Sequence, residues 1–179
     1  MNAPNILTIL RVILIPVFIV FLMNDHYYIS GIIFIFASLT DALDGYLARK
    51  YDLITNFGKL MDPLADKLLV VSALVCLTVL GDIAYWMVIV ILAREFTITG
   101  LRSVAASEGV VIAAGWSGKI KTIAQMVAIA LILLKNWPFV YIGIPMDQIM
   151  LWIAVVMTVY SGIEYIIKSR KLFTMKGKS

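Results

Sequence analysis

An all-α, polytopic membrane protein with six transmembrane helices is the fold that three features of this sequence predict. Apolar residues make up 62% of the 179 residues and charged residues only 15%, a balance that suits lipid better than water as the surround. The apolar residues gather into six runs, each long enough to cross ~30 Å of hydrocarbon at ~1.5 Å per helical residue. Polar or proline-bearing links separate the runs. Residues 1–179 are read as one integral-membrane domain, with no internal repeat. The lone Cys76 permits no intrachain disulfide and reads as a small packed residue. No small-residue cleavage site follows the first run, so it is read as a retained span and not a removed signal peptide.

Taken in order, the first span covers Ile6 to Met23, with Arg11 in its early turns and Pro16 in its middle. Asn5 and Thr8, one turn apart, either touch ligand or cap that helix, and capping is the safer choice. A polar turn, Asn24 to Tyr28, leads to the second span, Ile29 to about Tyr51. The third runs from about Asn56 to Leu80, closed by the tight turn Gly81-Asp82. The fourth is Ile83 to about Ala106. A glycine-rich link, Glu108 to Gly118, precedes the fifth, Lys119 to about Leu134. A loop with Trp137, Pro138 and Pro145 then leads to the sixth, Asp147 to about Lys168.

Lys and Arg in the links set the orientation. With a cytoplasmic N-terminus, the inner links hold Arg49, Lys50, Arg102, Lys119 and Lys121. The tail adds Lys168, Arg170, Lys171, Lys176 and Lys178, whereas the outer links hold only Lys135. This asymmetry predicts a multi-pass cell-membrane protein with both termini cytoplasmic. Tyr27, Tyr28, Tyr85, Trp86 and Trp137 fit an outer aromatic belt, and His26 falls in an outer turn.

The chemistry concentrates between Thr40 and Leu69. There the spacing is Asp41-x2-Asp44-Gly45-x2-Ala48-Arg49-x8-Gly58-x3-Asp62-x3-Asp66. Residues three or four apart share a helix face, so Asp41 with Asp44, and Asp62 with Asp66, form two carboxylate pairs at the inner ends of two spans. An acid near the centre of a span costs ~2.5–3.5 kcal/mol, so four placed deep would approach ~10 kcal/mol. Two divalent cations held by oxygen ligands would offset that cost and the mutual repulsion of the acids. Such a pair also clamps the attacking and leaving oxygens of an in-line displacement at phosphorus. Gly45, Ala48 and Gly58 let a bulky phosphorylated ligand approach the backbone, and Arg49 offers a planar fork for its oxygens. The bland alternative makes Asp62 an N-cap ahead of Pro63, with Asp41 and Asp44 solvated at a helix end and Arg49 a topology anchor.

This pattern resembles the signature of the CDP-alcohol phosphatidyltransferase family, with every motif position between Asp41 and Asp66 matched. The resemblance implies a membrane enzyme, usually a homodimer, that moves a phosphatidyl group from CDP-diacylglycerol to an alcohol and releases CMP. It implies Mg²⁺ or Mn²⁺ held by Asp41, Asp44 and Asp62. Asp66 would be the base beside the acceptor hydroxyl, and a ligand of the second cation as well. Gly45, Ala48, Arg49 and Gly58 would line the cytidine and pyrophosphate site. No Ser or His accompanies the acids, which favours direct transfer over a covalent intermediate.

A basic set near the inner face bears on the acceptor: Arg11, Arg94, Arg102, Lys119 and Lys121, with Glu95 beside Arg94. Charges at such depth usually face a protein interior or a watery cavity. A phosphorylated acceptor such as glycerol 3-phosphate needs such groups, whereas serine, choline or inositol needs fewer. The bland alternative pairs Arg94 with Glu95 and makes the others anchors. The segment Ala93 to Thr122, with the opening Pro4-Asn5-x-Leu7-Thr8-x2-Arg11, is similar to the phosphatidylglycerophosphate synthase branch of that family, which implies glycerol 3-phosphate as acceptor. Lys59 and Lys67 sit beside the aspartates and tune charge or meet phosphate. Glu164 and Tyr165 read as packing or topology residues. Cardiolipin or phosphatidylserine synthesis is the alternative within the enzyme class. A divalent-cation transporter is the alternative outside it, but it calls for acids staggered through the membrane depth, whereas these four share one level.

Overall fold

The computed structural model describes residues 3–50, 56–107, 109 and 115–176, with side chains described over 8–40, 64–107, 109 and 115–169. Among them are six α-helices, one 3-10 helix and no strand, which is the all-α class expected. The helices are α1 (Ala3–Met23), α2 (Tyr27–Lys50), α3 (Asn56–Val79), α4 (Tyr85–Ser107), α5 (Trp116–Leu133) and α6 (Met146–Lys176), with the 3-10 turn Phe139–Ile142 ahead of α6. Their ends lie within about three residues of those read from sequence, except that α6 runs on past Lys168 to Lys176. Two of the bland readings fail on these boundaries. α3 begins at Asn56 and is already helical at Asp62, so Asp62 does not cap it. α1 begins at Ala3, and Thr8 is buried inside it, so Thr8 is no cap either.

Which side of each helix is apolar decides what surrounds the protein. α1 buries Thr8, Arg11, Ile15, Phe18 and Leu22 at helical spacing and turns Leu10, Ile13, Val17 and Val20 outward. α5 buries Lys121, Ala124, Gln125 and Ala128, and exposes Ile120, Ile123 and Val127. α6 buries Thr158, Ser161 and Ser169, and exposes Ile153, Val156, Val159, Ile163, Ile166 and Ile167. A water-soluble helix shows the reverse arrangement. Polar residues inward and branched aliphatics outward match a lipid surround. Among the described residues, Trp116–Leu133 and Met146–Ser169 are long and apolar enough to cross a bilayer, and Thr8–Met23 and Tyr27–Thr40 are shorter apolar stretches. In α4, Arg94, Glu95 and Arg102 break up what is otherwise an apolar run.

The chain forms two compact units. One comprises Met1–Ile83 with Ile129–Ile144, the other Ala84–Ala128 with Pro145–Ser179. In the first, α1 packs against both α2 and α3, and α2 also meets α3. Phe18 of α1 meets Phe34 of α2 with ring centroids 6.2 Å apart. Gly31 of α2 lies against the end of α5, where a Cβ would stand 3.1 Å from Leu134 Cδ2 and 3.3 Å from Leu133 Cβ. At this unit's turns the Tyr27 hydroxyl donates to Asp82 at 2.7 Å, and Lys135 Nζ lies 3.0 Å from the centre of the Tyr27 ring. Gly81 takes φ +84°, which lets the chain reverse tightly after α3.

In the second unit α4 packs against α6. The packed face of α6 is built of small residues one turn apart, Ala154, Thr158 and Gly162, which allow close backbone approach. Thr158 returns its hydroxyl to the Ala154 carbonyl at 2.6 Å, so its polar atom costs nothing unpaired. Trp86 and Trp152 meet near one end, with centroids 5.5 Å apart.

Gly31→Leu should overpack the contact with Leu133 and Leu134 and cost about 1–3 kcal/mol. The check is thermal unfolding of the detergent-solubilised protein, where an unchanged Tm would mean that α2 and the end of α5 do not touch.

Candidate active site

The residues singled out from the sequence fall in both units. In the first unit the backbone settles the helical register of the acidic stretch. Asp41, Asp44, Gly45, Ala48 and Arg49 lie on α2, and Gly58, Asp62 and Asp66 on α3. Each aspartate pair is therefore one turn apart on a continuous helix, as the spacing predicts. The Asp66 side chain is half-buried. The side chains of Asp41, Asp44, Arg49 and Asp62, the surroundings of Gly45, Ala48 and Gly58, and Lys59 lie outside the described residues. As chemistry, carboxylate oxygens are hard donors of the kind that suit Mg²⁺, Mn²⁺ or Ca²⁺.

In the second unit Arg94, Arg102, Gly115, Ser117, Gly118, Ser161, Glu164, Tyr165 and Lys168 line a recess of about 60 Å³, room for roughly four or five waters. Its cations are brought there by packing. Arg94 leaves α4 and passes between glycines: a Cβ at Gly162 would lie 3.2 Å from its Cγ, and one at Gly118 3.4 Å from its terminal nitrogen. Its Nη1 donates to Glu95 at 2.8 Å, and its Nε has no hydrogen-bond partner among the described residues. Arg102, two turns along α4, lays its guanidinium over the Tyr165 ring, 5.3 Å from the centroid, and its Nε donates to the Tyr165 hydroxyl at 3.3 Å. Lys168 bonds to Glu164 one turn back on α6, and Glu164 also accepts from the Ser117 hydroxyl.

The first turn of α5 adds a further positive element. Lys119 N–H is the first to bond back, to the Gly115 carbonyl at 3.4 Å. The amides of Trp116, Ser117 and Gly118 have no acceptor within the helix, and this end of the helix favours an anion. Arg94, Arg102, Lys121 and Lys168 against Glu95 and Glu164 leave the recess and its border with a formal surplus of two positive charges. A phosphate monoester carries about −1.5 to −2 near neutral pH.

The basic set read from sequence is thus divided by the structure. Arg94 and Arg102 line the recess. Lys121 is buried and donates to the same Glu95 oxygen that Arg94 uses, at 2.7 Å. Lys119 stacks over Trp116, 4.9 Å from the ring centroid. Arg11 is fully buried on α1, in the first unit. The bland pairing of Arg94 with Glu95 is present, but Glu95 is shared with Lys121 and does not consume Arg94. Ser117, Gly162, Glu164, Tyr165 and Lys168 were not read as site residues. The i,i+4 pair Glu164 and Lys168 was visible in the sequence, but only α5 and α6 coming together reveals what it faces.

The comparison with known proteins now bears on this geometry. Residues 1–160 match the model of the CDP-alcohol phosphatidyltransferase family. The chain belongs to that family. Its members are membrane-embedded enzymes of phospholipid biosynthesis and generally use divalent cations. The chain is 46% identical to a CDP-diacylglycerol–glycerol-3-phosphate 3-phosphatidyltransferase of Bacillus subtilis, over 94% of this chain and 95% of that protein. It is 39% identical to a protein of the same name from Rickettsia felis, over 96% and 97%. With a probable phosphatidylglycerophosphate synthase of Mycobacterium tuberculosis it shares 38% identity, over 94% of this chain and 81% of that protein.

Removing Glu95 should strand a cation that is almost fully desolvated. The Lys121 side chain is 3% exposed and that of Glu95 26%. Breaking a fully buried pair costs ~3–5 kcal/mol, and Glu95→Ala should approach the lower end of that range. Lys121→Met in the same background should recover part of the loss. A double-mutant cycle on unfolding in detergent checks the coupling, and strict additivity would show that the pair does not interact.

Proposed function

We propose that this protein transfers the phosphatidyl group of CDP-diacylglycerol to glycerol 3-phosphate, giving phosphatidylglycerophosphate and CMP. The observation that carries the choice of acceptor is the recess of the second unit. It gathers three cations and a helix N-terminus around a space suited to one phosphate group, and its charge surplus matches a phosphate monoester. A neutral alcohol would leave that surplus uncompensated. The names of relatives that match nearly the whole chain point to the same acceptor.

In this reading Asp41, Asp44, Asp62 and Asp66 hold two divalent cations, Mg²⁺ or Mn²⁺, and the site's donor chemistry fits them. When bound, these ions neutralise the pyrophosphate and stabilise the departing CMP phosphate. Gly45, Ala48 and Gly58 leave room for the nucleotide, and Arg49 meets pyrophosphate oxygens. Asp66 accepts the proton of the attacking hydroxyl. Arg94, Arg102 and Lys168 hold the acceptor phosphate. Lys121 acts through Glu95 to fix Arg94, and Lys119 raises the positive potential at the start of α5. Arg11, buried on the helix that packs against α2 and α3, balances the acidic stretch. The Lys and Arg distribution supports cytoplasmic termini with the aspartates at the cytoplasmic face, and the outward aliphatic faces support a six-span fold in lipid. Assembly as a homodimer is carried by the family resemblance.

Purified protein given CDP-diacylglycerol, Mg²⁺ or Mn²⁺ and a panel of alcohols should form phosphatidylglycerophosphate with glycerol 3-phosphate and little product with serine, inositol or phosphatidylglycerol. A different preferred acceptor would sink the assignment, and chelation with EDTA should abolish turnover. Asp66→Asn should lower kcat by ~10²–10⁴-fold while largely sparing CDP-diacylglycerol binding. Arg102→Ala should raise KM for glycerol 3-phosphate by ~10-fold or more, as expected for a lost charged hydrogen bond, with a smaller effect on the lipid. Equal shifts in both constants would detach Arg102 from the acceptor.

A further inference from the structure

An anion recess with a carboxylate in its wall poses a chemical question. Glu164 lines the same space as Arg94, Arg102 and Lys168, and its two oxygens accept from Ser117 and Lys168. Binding phosphate alone would be easier without it, because a carboxylate repels an anion and has no donor to offer it. The carboxylate is useful if the ligand brings hydroxyl groups next to its phosphate. A hydroxyl donates to Glu164 and takes over the bond now made by Ser117.

We infer that Glu164 is a specificity-determining residue: it accepts a hydroxyl of a short polyol phosphate and repels phosphates that lack one. The inference rests on the recess being the acceptor site. The discrimination comes from a penalty as well as an attraction, since a hydroxyl-free phosphate meets the Glu164 charge with nothing to donate. Ser117 and Lys168 hold the carboxylate in its orientation. Tyr165, the next residue on α6, is held by Arg102, which fixes this turn of the helix against α4.

The test compares glycerol 3-phosphate as acceptor with methyl phosphate, as its dianion, as competitive inhibitor, using full-length protein in detergent with CDP-diacylglycerol and Mg²⁺. The readout is the ratio of Ki for methyl phosphate to KM for glycerol 3-phosphate. Glu164→Gln keeps the shape and removes the charge. It should raise KM by about tenfold and lower Ki, so that the ratio falls by more than tenfold. Glu164→Asp and Lys168→Gln keep a carboxylate there, and the ratio should stay within about threefold of wild type even as both constants rise. If Glu164→Gln moves Ki and KM together, or if the ratio collapses in Lys168→Gln as well, Glu164 only supports the helix and the inference is overturned. Should Glu164→Gln fail to fold, a ratio preserved in the other two variants supports the inference and a lost one overturns it. Wild type that makes no product with glycerol 3-phosphate, yet turns over another alcohol, removes the acceptor assignment itself, an outcome distinct from a shared shift in Ki and KM.

Discussion

Charges held inside a helical protein whose outer surface is aliphatic are the constraint on which everything else here depends. Where the surround is hydrocarbon, each polar side chain must find its partner within the protein, because no water waits outside. α1, α5 and α6 obey this by turning Ile and Val outward and Thr, Ser, Lys and Arg inward. Glu95 shows the rule most plainly. One of its oxygens receives both Arg94 and Lys121, so two cations and one acid make a compact group and not three separately desolvated charges. Glu164 repeats the arrangement with Lys168 and Ser117.

Pairing alone does not make a binding site; an incomplete pairing does. Arg94 gives Nη1 to Glu95 but leaves Nε with no partner among the described residues, and Arg102 meets a tyrosine and not an acid. The glycines make this geometry possible. A methyl group at Gly162 would press on the Arg94 stem, and one at Gly118 would touch its terminal nitrogen. α4 therefore delivers its guanidinium across small residues to the place where α5 begins. The first turn of α5, whose amides have no acceptor within the helix, and arginine side chains then border the same space, and both favour an anion.

The helices were legible in the sequence because a membrane leaves few choices: an apolar run of this length, bounded by Gly-Asp or Pro-containing links, forms a helix. The aspartate register was equally legible, since i,i+3 and i,i+4 spacing is a property of one helix. The helical start of α3 at Asn56 then removes the capping alternative for Asp62. The basic set was legible as positions along helices, not as side-chain directions. Depth follows from position along a span, whereas direction around the helix axis depends on what the neighbour offers. Glu95 drew Lys121 inward, Trp116 drew Lys119, and Arg11 belongs to the packed face of α1. Ser117 and Glu164 are 47 positions apart, so no local spacing connects them. Only the meeting of α5 with α6 does.

The balance of charge in the recess also bears on turnover. Transfer to glycerol 3-phosphate leaves the acceptor's phosphate on the product, so whatever holds the substrate must later release a lipid that carries the same group. Interactions equal in ground state and product add affinity without adding rate, and a stronger grip slows departure. Four cations with no acids among them would hold a phosphate more tightly than such a cycle tolerates. In the proposed acceptor role, Glu95 and Glu164 reduce that surplus to about the charge of the ligand. On the proposed acceptor role, the acids that pair with these cations thus also limit how firmly the phosphate is held.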